Sequence, residues 1–406
     1  NRVYCQLAVE VEPGHLDEVL DKIKKSAAGL YIKTDGKEFI RNTIDYDTVT
    51  VHQIPKEVKT LSELCDWSWQ EYTPAYNYAL ASISADKNRI VLNSSHAISD
   101  GGFLFTLLGN LMNPSANHVF EHVTTQTGTL RGDFLKNQFD EFLKNRNELS
   151  HQWPQLTDHD LTYEKVQEIV HLPNLYDHRP PRLRKEIKPE SLSIYDPKTG
   201  KMRGLSEFLW TGYCMAINVL NGHYGPIGLE TCMDFRRLIP RDQVDNTFGN
   251  AFTNFALAVK NPRPQMTIGE ICADFREMFN QIRKSGWFFK EYLTPLRFKR
   301  AGNCIAHLSN VGPVKIKAPI KDFYCQVHGY EHGLRPFIQC TTYSKIFNQK
   351  DLNTIIFHIR YSQNMLDNKM GHDLFDVFMH FLTHTTLDMK SGDVFDELMH
   401  FRESLN

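Results

Sequence analysis

The chain has 406 residues, long enough for two domains, and its 41% hydrophobic and 23% charged content is ordinary for a soluble globular protein. A net charge of -2 excludes the basic footprint of a nucleic-acid binder or a polybasic membrane-surface protein. No apolar run approaches the ~18 residues that a membrane span needs.

In chain order, residues 3–11 alternate (Val3, Cys5, Leu7, Val9, Val11) as a half-buried strand does. Pro13-Gly14 breaks the pattern, and Leu16, Val19, Leu20 and Ile23 follow at helical spacing. Leu30-Tyr31-Ile32 reads as a second strand. Tyr78–Ser84, a turn at Asp86-Lys87-Asn88, and Arg89–Ser94 read as a hairpin. Residues 130–149 carry Leu130, Phe134, Leu135, Phe139, Phe142 and Leu143 on one helical face. The Pro-rich stretch from His171 to Arg182 suits neither helix nor central strand and is expected to cross between two halves. Beyond it, Leu205–Leu220 has the pattern of a buried helix, and Ile227–Met233 of a strand leading into Asp234. Residues 267–284 read as a helix, Ile305–Leu308 as a short strand ending at Ser309-Asn310-Val311-Gly312, Thr354–Tyr361 as a strand and Leu374–Leu382 as a helix. Strands and helices intermix in both halves, which predicts a mixed α/β (α+β) fold of two lobes. The expected division is a first lobe over 1–170, a crossover over 171–195 and a second lobe over 196–406.

The eight cysteines (Cys5, Cys65, Cys214, Cys232, Cys272, Cys304, Cys325, Cys340) are dispersed, with no Cys-x-x-Cys pair. That argues against a structural zinc site and a dense disulfide framework, and for a cytoplasmic location. The sequon at Asn93-Ser94-Ser95 falls on an expected buried strand, so it is expected to carry no glycan.

The segment Asn93-Ser-Ser-His96-Ala-Ile-Ser-Asp100-Gly101-Gly102 stands between the strand run Ile90-Val91-Leu92 and an apolar helical run, Phe103 to Leu108. A histidine on such a turn has the right unperturbed pKa to accept a proton near neutrality. The spacing alone is weak, because the chain holds it three times, at His96/Asp100, His372/Asp376 and His384/Asp388. The latter two fall in or beside the C-terminal helical pattern, where i,i+4 spacing merely places both residues on one face. For His96 the strand before it, the glycines after it and the following helix agree. The alternative is a buried histidine satisfying a backbone carbonyl.

Ser-His96-Ala-Ile-Ser-Asp100-Gly101 resembles the His-x-x-x-Asp-Gly motif of the chloramphenicol-acetyltransferase-like superfamily, which includes peptide-synthetase condensation domains and alcohol acetyltransferases. Cys232-Met-Asp234-Phe-Arg236-Arg237 through Pro240, with Phe248-Gly249-Asn250, resembles its Asp-x-Arg…Pro…Phe-Gly-Asn segment. Leu308-Ser309-Asn310-Val311-Gly312 resembles its Ser-Asn-x-Gly segment. The resemblance covers nearly the whole chain. It implies two similar lobes, each a mixed sheet flanked by helices, with a tunnel between them and His96 midway.

It also implies an acyltransferase in which His96 is the general base, taking the proton of a hydroxyl or amine acceptor that attacks a thioester. No covalent acyl-enzyme is implied, and the chain has no Gly-x-Ser-x-Gly elbow. By resemblance Asp100 orients the turn, Gly101 and Asn250 are structural, and Asp100 pairs with Arg236 of the second lobe beside Asp234, with Arg237 as the alternative. Ser309 and Asn310 are either oxyanion donors or an ordinary strand-end turn.

Condensation domains usually carry a second histidine where this chain has Ser95, and no carrier or adenylation segment appears in these residues. Both tilt the expected donor from an acyl carrier protein to an acyl-CoA co-substrate, on a monomer with no resident cofactor or metal. Lys290, Arg297, Lys299, Arg300, Lys315 and Lys317 are candidates for coenzyme A phosphates, though a solvated charge run explains each singly. Two other readings stand beside this one. His118-Val-Phe-Glu121-His122 matches an inverted zinc-protease pattern on a short segment between Pro114 and a polar tract. The fold could also persist as a non-catalytic binding or scaffold protein.

Overall fold

The computed structural model describes residues 3–113, 137–145, 181–238, 252–259, 262–289, 306–329, 338–362 and 366–405. Two mixed sheets dominate. The first has the order β13-β1-β6-β5-β4, built from β1 (Val3–Val11), β4 (Val51–Gln53), β5 (Ala81–Ala85), β6 (Arg89–Ser95) and β13 (Ile320–Gly329). The second has the order β11-β10-β12-β14-β15-β7, from β7 (Arg182–Ile187), β10 (Ile227–Asp234), β11 (Phe252–Val259), β12 (Ala306–Lys315), β14 (Ile338–Ile346) and β15 (Thr354–Tyr361). Two small ribbons, β2/β3 (Ile32–Thr34, Phe39–Arg41) and β8/β9 (Tyr195–Asp196, Lys201–Met202), complete the strands.

The two halves of the chain do not map one-to-one onto the two sheets. Strand β13, expected within the second lobe, pairs antiparallel with β1 in the first sheet. The reason lies in β1 itself. Its side chains are buried on both faces (Tyr4, Cys5, Leu7, Ala8, Val9), so it cannot serve as an edge, and β6 satisfies only one flank. Strand β7, expected within the crossover, forms the outer edge of the second sheet against β15. A division at residue 196 therefore does not separate the sheets.

Most elements follow the sequence pattern. Helix α1 (Leu16–Ser26) buries Val19 and Ile23. The expected strand at residues 30–32 is instead a 3-10 turn over Ala28–Leu30 that delivers Ile32 into β2. Helix α2 (Leu61–Tyr72) begins in a capping box, in which Thr60 Oγ1 accepts from Glu63 N–H and the Glu63 carboxylate reaches back. Of the expected helix at 130–149, the described part, 137–145, is helical; the rest lies outside the described residues.

In the second lobe, α4 (Leu205–Asn221) is buried nearly all round, against α5 (Ile268–Ser285) and α6 (Asn368–His384), with α7 (Ser391–Ser404) behind. Gly212 makes this possible, since a Cβ there would lie 2.3 Å from the Phe381 ring. None of the described helices is long and apolar enough to cross a membrane.

Strand β12 runs on through the expected turn at residues 309–312 to Lys315. A bulge between Asn310 and Gly312, with Gly312 at φ 96°, keeps it paired with β14. The far ends of the β12–β15 strands reach over the first lobe. Tyr343 of β14 packs on Phe105 and Phe323, with ring centroids 5.7 and 5.4 Å apart, and Ile356 joins the same core.

Candidate functional site

Strand β6 delivers the chain to a tight turn at residues 96–100. Ser95 carries the turn: its carbonyl accepts from Ile98 N–H and Ser99 N–H at 3.1 Å each, and its hydroxyl accepts from Ala97 N–H at 3.2 Å. Ser99 Oγ reinforces it, 2.9 Å from both Ser94 Oγ and Ser95 O. His96 N–H donates to Val3 O at 2.7 Å, which ties the turn to β1. Along residues 93–100 His96 and Ala97 are half-buried while their neighbours are buried. The His96 ring lies 5.3 Å from the ring of Phe252, the first residue of β11, so it faces the second lobe. Asn93, the sequon residue, is fully buried.

Asp100 is the N-cap of α3 (Gly101–Leu111), its carboxylate accepting from Phe103 N–H at 2.6 Å. Phe103, Leu104, Leu107, Leu108 and Leu111 bury the helix in the first core, at ~1.5–3 kcal/mol each. The same carboxylate accepts from Arg236 Nη1 at 3.0–3.1 Å across the lobes. Arg236 is held in turn by Asp234, through Nη1 at 3.0 Å and its own N–H at 2.9 Å to Oδ1. Burial works against the Arg236 guanidinium, but Asp100 and then Asp234 outweigh it and raise its pKa. Burial pushes Asp234 up, Arg236 opposes it and Asp100 adds to it. The result is a buried carboxylate–guanidinium–carboxylate bridge beneath the turn that carries His96.

The structure brings together His96, Asp100, Gly101, Gly102, Asp234 and Arg236. Gly101 and Gly102 are the first helical residues, and neither has the positive φ that would make glycine a turn requirement. Gly102 is needed for room: a Cβ there would lie 2.5 Å from Asp234 Oδ2 and 2.6 Å from Arg236 Nη1.

Asn310 is occupied elsewhere. Its amide donates to Ser206 Oγ at 3.0 Å and accepts from Gly312 N–H at 3.1 Å, so it fastens the β12 bulge to the start of α4. Ser309 sits half-buried on β12 beside it. Phe248, Gly249 and Asn250 lie outside the described residues, as do the Arg237 side chain, His118, Glu121, His122, Lys290, Arg297, Lys299 and Arg300. Lys315 and Lys317 are exposed past the bulge. His372 is exposed on α6, where Asp376 lies 3.6 Å from Lys185 Nζ; His384 stacks on His380 at 4.1 Å, and Asp388 bonds Thr386 Oγ1. Among the described residues no group of three His, Cys, Asp or Glu side chains could hold a metal ion.

Sequence reasoning gave no role to Phe252 or to three side chains beyond it on the same face, Cys232, Asn254 and His307. They lie on β11, β10 and β12, and only the strand order of the second sheet assembles them.

No family model matches the sequence, and no curated protein matches it. Solved structures do match in fold. The first condensation domain of the calcium-dependent antibiotic synthetase superposes with a TM-score of 0.64 at 11% identity, over 96% of this chain and 93% of that one. The chain has the chloramphenicol-acetyltransferase-like fold of condensation domains. Polyketide synthase associated protein 5 from Mycobacterium tuberculosis gives 0.60 at 10% identity, over 94% of each chain. The trichothecene 15-O-acetyltransferase of Fusarium sporotrichioides gives 0.59 at 11%, over 94% of this chain and 90% of that one.

Proposed function

We propose that this protein is an acyltransferase that moves an acyl group from an acyl-CoA thioester to a hydroxyl or amine acceptor, with His96 as general base. The observation that carries the reading is the placement of His96. It stands half-exposed at the end of β6 against Phe252 of the other lobe, on a turn whose next helix is bridged to that lobe through Asp100 and Arg236. A base so placed reaches a substrate threaded between the lobes, and the fixed turn keeps its ring aimed there. As the acceptor attacks the thioester carbonyl, His96 takes its proton, a contribution of ~10²–10⁴-fold. The attack itself needs no acyl-enzyme. Asp100 and Arg236 act as positioning residues, and Asn310 holds the β12 bulge.

The acyl-CoA donor is supported by the fold neighbours. One is a starter condensation domain in complex with C8-CoA and Leu-SNAC, and another is the O-acetyltransferase. Ser95 fits a lone base, because its hydroxyl is spent on Ala97 N–H and on Tyr76, 3.3 Å away. We take the protein to act as a monomer in the cytoplasm, the compartment being supported by the dispersed spacing of its eight cysteines. The test is a thioester-consumption screen of several acyl-CoAs against a panel of alcohols and amines, comparing the wild type with His96→Ala. Consumption in the wild type that drops at least ~10²-fold in the variant is the expected result. Equal consumption by the two would remove His96 from the reaction, and none in the wild type would leave the scaffold reading.

A further inference from the structure

Cys232 Sγ lies 3.1 Å from His307 Nε2 and 3.0 Å from the Asn254 side-chain amide oxygen. The three side chains share one face of the second sheet. Cys232 and Asn254 are directly opposed across β10 and β11, and His307 is registered to Glu230, two positions before Cys232 on β10. That face is the one turned to the first lobe: Phe252, against which the His96 ring rests, opposes Asp234 two cross-strand pairs further along, at the next same-side position. Same-side positions on a strand are separated by about 7 Å, so the thiol lies one such step beyond Phe252.

A thiol within hydrogen-bond reach of an imidazole is the arrangement that activates a cysteine nucleophile. Access distinguishes it from the other described cysteines. Cys5, Cys65, Cys214, Cys325 and Cys340 are buried, and burial raises the pKa of Cys272 to about 11. Cys232 is half-buried and has the imidazole beside it.

We propose that Cys232, with His307 as its base, is a second catalytic residue that accepts the acyl group from the thioester donor and holds it before the acceptor attacks. The proposal rests on the thioester chemistry proposed above and adds a stop to it. His307 Nε2 takes the Sγ proton as the thiolate attacks the donor carbonyl. The donor carbon–sulfur bond breaks, the leaving thiolate recovers that proton from His307, and an acyl-Cys232 thioester and a free thiol remain. The acceptor then attacks this second thioester, losing its proton to His96. Its carbon–sulfur bond breaks, the Cys232 thiolate takes a proton from solvent, and His96 releases the acceptor's proton to solvent, so both groups return to their starting state. The task of His96 is the same whichever thioester is attacked. The ionisable side chains around the thiol on that face are Glu230, Asp234 and His307, with Arg236 and Asp100 beyond Asp234 and His96 beyond Phe252.

Two measurements on the full-length protein test this. In the first, each protein is incubated without acceptor with acetyl-CoA or the octanoyl thioester of N-acetylcysteamine, quenched rapidly, and its peptides are weighed. A hydroxylamine-labile acyl group on the Cys232 peptide is expected in the wild type and in His96→Ala. It should be absent from Cys232→Ala and Cys232→Ser, and form at least ~10-fold more slowly in His307→Ala. The second measurement needs no donor. Iodoacetamide labelling, resolved by peptide at pH 6.5, should modify Cys232 faster than free N-acetylcysteine, and His307→Ala should abolish that excess. Full turnover by Cys232→Ala with no adduct in the wild type would overturn the proposal while leaving His96 in place. If neither donor is consumed even when the panel of alcohols and amines is present, the thioester reading itself has failed. Labelling of Cys232 no faster than the free thiol, and unchanged in His307→Ala, overturns the activated pair on its own.

Discussion

Two histidines stand at the same end of the first sheet and differ in every respect that matters for chemistry. His96 closes β6, half-exposed, facing Phe252 of the other lobe. His328, near the end of β13, is registered to Tyr4, itself opposite Ser95. It is 8% exposed, stacked on Trp69 at 4.9 Å and 8°, and bonded to Gln326 at 2.8 Å and Asp66 at 3.3 Å. The familiar picture of a catalytic histidine, an imidazole on a carboxylate, thus describes His328, whereas the carboxylate of the His96 motif is committed to a helix cap and Arg236. Burial lowers the pKa of His328 to about 4, with Asp66 opposing, so near neutrality it is a neutral part of a packed network. A carboxylate beside a histidine is therefore not what sets His96 apart in this molecule; its proposed role rests on exposure toward the other lobe.

The contrast breaks first by substitution at the two rings. His96→Ala should lower acyl transfer by ~10²–10⁴-fold while the denaturant midpoint stays near that of the wild type. His328→Ala should do the reverse, removing ~3–5 kcal/mol of stability by emptying a stacked, hydrogen-bonded position. If His328→Ala lost its activity while keeping its stability, the assignment of the two roles would be inverted.

The next largest effect belongs to the bridge. Asp100→Ala removes the cap of α3 and takes from the largely buried Arg236 one of its two described carboxylate partners. Breaking a buried pair costs ~3–5 kcal/mol, and the cap adds about 1 kcal/mol. Unfolding in urea should show the loss, and residual activity in the folded fraction should fall as well, because the turn carrying His96 is no longer held. Wild-type stability in this variant would mean that the bridge is not what fixes the turn.

Acid sharpens the comparison from the other side. The folded state depresses the pKa of His328 from 6.5 to about 4, so the unfolded chain takes up the proton first. Stability from this group is complete above pH 6.5 and falls as pH drops toward 4, by about 3 kcal/mol at 1.36 kcal/mol per unit. His358 shifts the same way, to about 3, chiefly by burial. Burial raises the Asp66 carboxyl, but its bond to His328 and the Arg182 charge outweigh that and hold it below the usual range. Its contribution, present above the ordinary carboxylate pKa, is likewise lost on acidification. Urea midpoints at pH 7 and pH 4.5 should therefore differ more in the wild type than in His328→Gln. An equal difference in both would place the acid sensitivity elsewhere.

How far the sequence reveals this depends on how local each signal is. The hairpin expected over 78–94, the turn at 96–100, and the helices starting near Leu16, Leu205 and Ile268 each draw on neighbouring residues, and the structure shows them there, with the first hairpin strand starting only at Ala81. The His328 network combines β1, α2, β7 and β13, and the Cys232 group combines β10, β11 and β12. Their members are separated by up to hundreds of positions, and no period links them. Strand β13 eluded the sequence reading for a related reason, since nothing local states that its partner is the first strand of the chain. Asn310 shows a different limit: the segment is visible, but which way its amide turns depends on a bulge and on Ser206.

The smallest expected effect separates the two adjacent glycines of the motif. A Cβ on Gly101 meets no described atom within 4 Å, while one on Gly102 would fall inside the van der Waals radii of Asp234 and Arg236. Both residues have ordinary helical backbone, so conformational freedom does not distinguish them. Gly101→Ala should be neutral or stabilise by up to about 1 kcal/mol, through the better helix propensity of alanine. Gly102→Ala should cost ~1–3 kcal/mol as an overpacked position, and the strain falls on the carboxylate and guanidinium that bridge the lobes. Activity should follow the same order: near wild type for Gly101→Ala, and reduced for Gly102→Ala with no change to His96 itself. Equal tolerance at both positions would show that the Asp234 and Arg236 side chains can retreat without loss, and that His96 is aimed by the Ser95–Ser99 turn alone.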